Sequence, residues 1–232
     1  MSYRCIDLGL TSYRSAYDFQ KQCVEEVKSG SVDGFLLLTE HNPVFTLGRF
    51  AQKENLLVGT EEAESKGIDV IETNRGGDIT FHGPGQLVAY PIFNLSNHHK
   101  DVHRYLRELE KVAIGTLADF GLEAFSVKAR TGCWMKNGKI ASIGIGISRW
   151  VTYHGIAINA NVDLKFFDMI NPCGFKDIDV TSMKEMLGHD IDMEALKEKF
   201  IVNFSNIFNI SKKAVWQSEQ DLKLSHAAVS AI

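Results

Sequence analysis

Residues 133–158 read C-W-M-K-N-G-K-I-A-S-I-G-I-G-I-S-R-W-V-T-Y-H-G-I-A-I. Asn137-Gly138 separates two strand-like runs, 133–135 and 140–147, and Asn-Gly is the dipeptide best suited to the left-handed positions of a tight hairpin turn. A third run, 151–158, follows, so residues 132–160 are expected to form an antiparallel meander. Outward from it the period changes. Residues 11–29 and 101–120 place apolar side chains at helical spacing and stop at Gly30 and Gly121, and 192–208 reads as a last helix. Short apolar runs at 34–39, 68–73 and 87–93 read as further strands. Beyond Asn209 the pattern gives no assignment. With four prolines and no repeat, low-complexity tract or linker, the chain is expected to be one α+β domain over residues 1–210 with a tail, 211–232, of unclear structure.

The composition is that of a globular protein: 232 residues, 44% hydrophobic and 23% charged. Such a chain buries roughly 70 to 75% of its unfolded surface and needs no disulfide or structural metal. Its four cysteines, at 5, 23, 133 and 173, form no C-x-x-C pair, which predicts a reduced, cytoplasmic protein. Asp7 falls inside the stretch a signal peptide would need to be apolar, and no segment approaches ~18 uncharged apolar residues, so neither secretion nor a membrane span is expected. A net charge of −4 argues against a protein that binds nucleic acid by neutralising phosphates. Charge is nonetheless uneven. Residues 124–162 contain no acid but carry Lys128, Arg130, Lys136, Lys139 and Arg149. That reads either as a sheet that merely lacks acids or as a positive field for an anionic substrate or an acidic carrier protein.

Three segments can carry chemistry. Arg75 to Gln86, R-G-G-D-I-T-F-H-G-P-G-Q, is dense in glycine; it leaves backbone N–H groups uncovered and adds fixed polar groups at Arg75 and His82. It is neither a G-x-G-x-x-G nor a P-loop, and taken alone it reads equally as a structural turn or a binding loop. In N-P-C-G, Asn171 to Gly174, Pro172 and Gly174 put Cys173 at a sharp turn, while the other cysteines fall within regular strand or helix patterns. The meander supplies the third. By a period of two, Lys139 shares a face with Ala141, Ile143, Ile145 and Ile147; it reads either as a solvated lysine beside a tight turn or as an amine held against apolar surface, which exchanges protons more readily than one in water. His154 shares parity with Ile156 and Ile158 and is expected to face the same interior. His99 and His103, four apart, have the spacing of a metal pair but no third ligand, and read as a polar helix face.

Together these segments resemble the lipoyl(octanoyl) transferases, which move an octanoyl group from acyl carrier protein to a lysine of a lipoyl domain. The matching pieces are E-H-N-P-V-F-T-L-G-R from Glu40, R-G-G-D-I-T-F-H-G-P-G-Q from Arg75, K-I-A-S-I-G from Lys139, Y-H-G-I-A-I-N from Tyr153 and I-N-P-C-G-F from Ile170. The resemblance implies the fold of biotin and lipoate protein ligase catalytic domains, a mixed, largely antiparallel sheet flanked by helices. It implies Cys173 as acyl-thioester nucleophile and Lys139 as the lysine that activates it; sequence spacing cannot place these two together. It implies substrate binding by Arg75, Gly76, Gly77, Asp78, Ile79, Thr80, Phe81 and His82, by Ser142, Ile143 and Gly144, and by His154, Gly155, Ile156 and Ala157.

By the same resemblance the acceptors are lipoyl domains of 2-oxoacid dehydrogenase complexes and the glycine cleavage H protein. The phosphopantetheine arrives on the donor, and neither ATP nor metal is needed, because passage from thioester to amide is downhill. Two other readings stand beside it. An ATP-dependent lipoate or biotin ligase shares the fold but does not require Cys173, and a docking module would bind acyl carrier or lipoyl domains without turnover.

Overall fold

The computed structural model describes residues 2–172 and 178–216. Eleven strands and five α-helices follow one another among them: β1 (Ser2–Thr11), α1 (Tyr13–Ser29), β2 (Gly34–His41), β3 (Val44–Leu47), α2 (Thr60–Ser65), β4 (Asp69–Glu72), β5 (Ile79–His82), β6 (Gln86–Phe93), α3 (Val102–Ala118), β7 (Phe125–Val127), β8 (Arg130–Met135), β9 (Gly138–Ser148), β10 (Val151–Asn159), α4 (Met183–Leu187), α5 (Met193–Phe208) and β11 (Ser211–Trp216). Eight strands form one sheet in the order β11-β1-β2-β6-β10-β9-β8-β7, and three form a smaller one, β4-β3-β5. β1 pairs in parallel with both β11 and β2, and the rest of the large sheet is antiparallel. Mixed and largely antiparallel is thus the observed sheet.

Helices α1, α3 and α5 form where the periodicity places them, the short α2 and α4 were not expected, and the ends of the long helices are chemically defined. Ser12 caps α1 by accepting from the Ser15 N–H, and Gly30 closes it in the left-handed conformation. Asp101 and Asp192 cap α3 and α5 in the same way. Apolar stripes of α3 and α5 cover one face of the large sheet, enclosing a core that includes Leu109, Val112, Ile140, Ile156, Phe200 and Phe204. The stripe of α1, with Phe19, Cys23 and Val27, covers the other face over Leu37, Val88, Tyr90 and Ala157. Among the described residues, no helix is long and apolar enough to cross a membrane.

The meander forms, with two departures in detail. Met135 pairs with Gly138, so Lys136 and Asn137 make the turn and Gly138 opens β9. A Cβ on Gly138 would stand 2.5 Å from the Asp179 carbonyl oxygen, closer than side chains tolerate. Between β9 and β10 the turn is made by Arg149 and Trp150, both left-handed at φ 49 and 69, with no glycine to signal it. The unassigned residues after Asn209 begin with β11, held parallel to β1 at the sheet edge. Short strands β3, β5 and β7 and the N-terminal β1 are likewise invisible to local pattern, because their pairing is settled by the assembled sheets.

Candidate active site

The glycine-rich loop before β5 is sewn between the two sheets. Arg75 is buried, and its guanidinium turns onto β3, where Nη2 donates to the Thr46 carbonyl at 2.6 Å and Nε to Thr46 Oγ1 at 3.1 Å. The Gly76 N–H donates to the Ile145 carbonyl of β9 at 2.8 Å. Such contact requires a glycine beneath it: a Cβ on Gly144 would lie 2.7 Å from the Gly76 carbonyl oxygen. Asp78 is used structurally, accepting from Asn55 Nδ2 and from the Ile79 N–H, each at 2.7 Å.

Under this loop lies a cavity of about 500 Å³, its open mouth included. Arg75 to Thr80, His82, Ser142 to Gly144 and His154 to Ala157 line it, with Lys139, Tyr13, Val88 and Tyr90. Fourteen of the fifteen residues expected to bind substrate therefore share one cavity wall. Phe81 does not line it. It is fully buried on the opposite side of β5, its ring 4.6 Å from that of Phe166 and 5.6 Å from that of Phe45, because adjacent residues in a strand face opposite ways.

Two parity expectations fail for physical reasons. His154 does not face the Ile156–Ile158 core. Its φ of 56 breaks the alternation and turns the imidazole toward α1, where it stacks on Tyr17 at 5.2 Å and its Nε2 bonds Asn74 Oδ1 at 2.9 Å. Lys139 does not share the face of Ala141. The β8–β9 register shifts between Cys133 and Trp134, so consecutive residues Ile140 and Ala141 both enter the core under α3, and Lys139 turns to the cavity that Ser142 lines.

Lys139 is 4% exposed. Its N–H donates to the Asp179 carbonyl and its carbonyl accepts from the Thr181 N–H, at 2.8 and 3.1 Å, while Nζ stands 5.5 Å over the Trp134 ring. Cys173 lies outside the described residues, as does its expected pairing with Lys139. The chain on either side is placed: the Asn171 N–H donates to the carbonyl of Asn55, whose side chain holds Asp78, and Val180 bridges Lys139 itself.

At one end of the cavity is a cluster that includes three residues the sequence pattern did not single out, Tyr13, His41 and Tyr90, packed with His82 and His154. His41 Nε2 bonds Tyr90 Oη at 2.6 Å, and His82 Nδ1 bonds Gln86 Oε1 at 2.7 Å. Burial pulls all three imidazoles down, His41 to about 4 and His82 and His154 to about 3, with Arg75 opposing a second positive charge at the last two. All three are neutral near pH 7. Burial likewise pushes Tyr13 and Tyr90 up. The available signal for these residues was alternation in β6, which puts Tyr90 on the face of Val88, and the E-H-N-P segment, which contains His41.

His99 and His103 do not share a helix, since α3 starts at Val102. One group of metal-ligand type, His98, His99 and Glu108, occurs among the described residues, and Glu108 there is engaged by Arg104 at 2.9 Å.

The chain is 44% identical over 201 residues to an octanoyltransferase of Syntrophotalea carbinolica, covering 87% of this chain and 92% of that one. It is 44% identical over 206 residues to an octanoyltransferase of a Thermoanaerobacter strain, covering 88% and 90%. In fold it is similar to the crystal structure of a lipoate-protein ligase A bound with ATP, with TM-score 0.72 and 16% identity over 98% of this chain and 94% of that one. It is similar too to a bipartite lipoate protein ligase from Thermoplasma acidophilum, with TM-score 0.73 and 16% identity over 98% and 91%. Residues 12–205 match the family described as Lipoyl protein ligase A/B catalytic domain, and the chain belongs to that family.

Proposed function

We propose that this protein is an octanoyltransferase of lipoate biosynthesis, carrying an octanoyl group from acyl carrier protein to a lysine of a lipoyl domain through a thioester on Cys173. The observation that carries the reading is the placement of Lys139. It is buried in the wall of a cavity lined by glycine-rich backbone, and the chain that flanks Cys173 is tied on one side to Asn55 and on the other to Lys139.

In the first half-reaction the Cys173 thiolate attacks the phosphopantetheine thioester while backbone N–H groups of the cavity hold the oxyanion. The carbon–sulfur bond to pantetheine breaks, and Lys139 gives its proton to the departing thiolate. In the second, neutral Lys139 takes a proton from the incoming lysine, whose amine then displaces Cys173. Neither step draws on ATP or a metal ion. Seven methylene-like carbons at ~0.8 kcal/mol each supply ~5 to 6 kcal/mol for holding the acyl chain. Lys128, Arg130, Lys136 and Arg149 are exposed along the β7–β9 side of the sheet, where an acidic carrier protein would be drawn.

Incubation with octanoyl-acyl carrier protein without ATP, followed by peptide mass spectrometry, tests the reading. A hydroxylamine-labile octanoyl adduct on Cys173 is expected. Turnover that instead required ATP and free acid, and survived Cys173→Ser, would make the protein a ligase like its structural neighbours. Binding with no turnover in either assay would leave a docking module.

A further inference from the structure

Hydrogen-bond directions around the cavity follow from its anchors. Asn159 Nδ2 donates to the Thr181 carbonyl at 3.0 Å, and a carbonyl only accepts. Asn159 Oδ1 therefore accepts from Gln86 Nε2 at 2.8 Å, and that amide also donates to the Phe81 carbonyl. Gln86 is thus oriented with Oε1 toward His82 Nδ1, 2.7 Å away, so Nδ1 carries the proton. His82 is neutral, and Nε2 keeps its lone pair. This run of hydrogen bonds starts at Thr181, whose own N–H holds the Lys139 carbonyl, so one strap of backbone fixes both side chains.

A second anchor runs in parallel. His41 Nδ1 faces the Thr11 carbonyl at 3.1 Å and must donate to it. Neutral His41 then accepts at Nε2, and the 2.6 Å contact is a donation from the Tyr90 hydroxyl. Its only proton committed, Tyr90 Oη offers lone pairs alone. His82 and Tyr90 both line the cavity, and their rings lie 5.8 and 5.9 Å from the ring of His41.

These two atoms accept hydrogen bonds and cannot donate them, while the donors of the same cavity wall sit on Tyr13 and Arg75. The pair has nothing for a thioester carbonyl or an oxyanion, and the octanoyl chain has no donor to offer it. A neutral primary amine matches it, with two N–H groups and one lone pair. We propose that His82 Nε2 and Tyr90 Oη form the subsite for the incoming lysine, each accepting one N–H so that the nitrogen lone pair is left for the acyl carbon. The proposal rests on the octanoyl-transfer reading above.

Discharge forms the carbon–nitrogen bond and breaks the carbon–sulfur bond. One proton of the entering ammonium goes to neutral Lys139 and a second to solvent, and the sulfur leaves as the thiolate that begins the next cycle. His82 and Tyr90 hold the amine through this exchange without being consumed.

The test separates the half-reactions. His82→Asn keeps a donor near Nδ1 and removes the Nε2 acceptor; Tyr90→Phe removes one oxygen; His82→Gln sets an amide near Nε2. Acylation by octanoyl-acyl carrier protein is timed by mass spectrometry, and the isolated acyl-enzyme is then mixed with lipoyl domain or left in buffer. The expected result for His82→Asn and Tyr90→Phe is a transfer rate that falls at least about tenfold more than the acylation rate, with hydrolysis in buffer not following it and partial rescue in His82→Gln. Equal slowing of acylation and transfer would mean that these groups serve the pantetheine arm or only shape the cavity, and would overturn the proposal, as would transfer at the wild-type rate in Tyr90→Phe. Absence of any adduct on the wild type would instead sink the octanoyl-transfer reading itself.

Discussion

The backbone N–H of His154 donates to Oε1 of Gln20 at 2.7 Å, joining the middle of α1 to β10 at a point where neither group meets solvent. His154 holds a left-handed φ of 56, which a non-glycine residue keeps only where its surroundings compensate it. Gln20 Nε2 has no hydrogen-bond partner among the described residues, so what the side chain contributes is one acceptor.

Gln20→Met preserves volume and removes that acceptor, leaving a buried N–H unpaired. A loss of ~1 to 3 kcal/mol is expected, read from denaturant midpoints. A variant as stable as wild type would show that the left-handed turn does not depend on α1.

Lys139→Arg keeps a positive charge in the cavity wall and cannot release a proton at working pH. Octanoyl transfer should fall by ~10² to 10⁴, the range of a general acid–base group, with the circular dichroism spectrum unchanged. Full activity in this variant would remove Lys139 from proton transfer.

Acid should unfold this protein early. His41, His82 and His154 are pulled by burial to about 4, 3 and 3 from an ordinary 6.5, so below pH ~6.5 the unfolded chain binds protons that the folded one does not. Stability from these groups is complete above that pH and is lost as pH falls toward the folded values, at up to ~1.4 kcal/mol per pH unit for each imidazole. Melting temperatures measured from pH 8 to 4.5 should hold level and then drop steeply below pH ~6.5. A profile that stays flat to pH 5 would contradict the burial of the cluster.

Two cysteines should stay silent in any acylation or alkylation experiment. Burial pushes the thiols of Cys5 and Cys133 up to about 12, far from the thiolate state that reacts. Native alkylation at pH 8 with peptide mapping should leave both unmodified for as long as the protein stays folded, and rapid labelling of either would refute that protection.

Local pattern was sufficient wherever structure is decided by neighbours in the chain. The 3.6-residue period and its caps placed α1, α3 and α5, and the period of two with Asn137-Gly138 placed the β8–β9 hairpin of the large sheet. The glycine-rich segment and the lysine after the hairpin stood out as candidates, but local pattern alone read the first equally as a structural turn, and only the resemblance gave both a role in chemistry. The tertiary structure decided the rest, since strand pairing across long separations is a property of the closed sheet. It put β11 beside β1, sent Phe81 into the core, reversed the face of His154 by a left-handed residue and that of Lys139 by a register shift. Burial, which only the assembled fold creates, kept three histidines neutral and drew Tyr13 and Tyr90 to the wall of one cavity with His41 behind them. Residue order carried the alphabet of this site, and the desolvated three-dimensional arrangement set which atoms donate, which accept and which keep a lone pair.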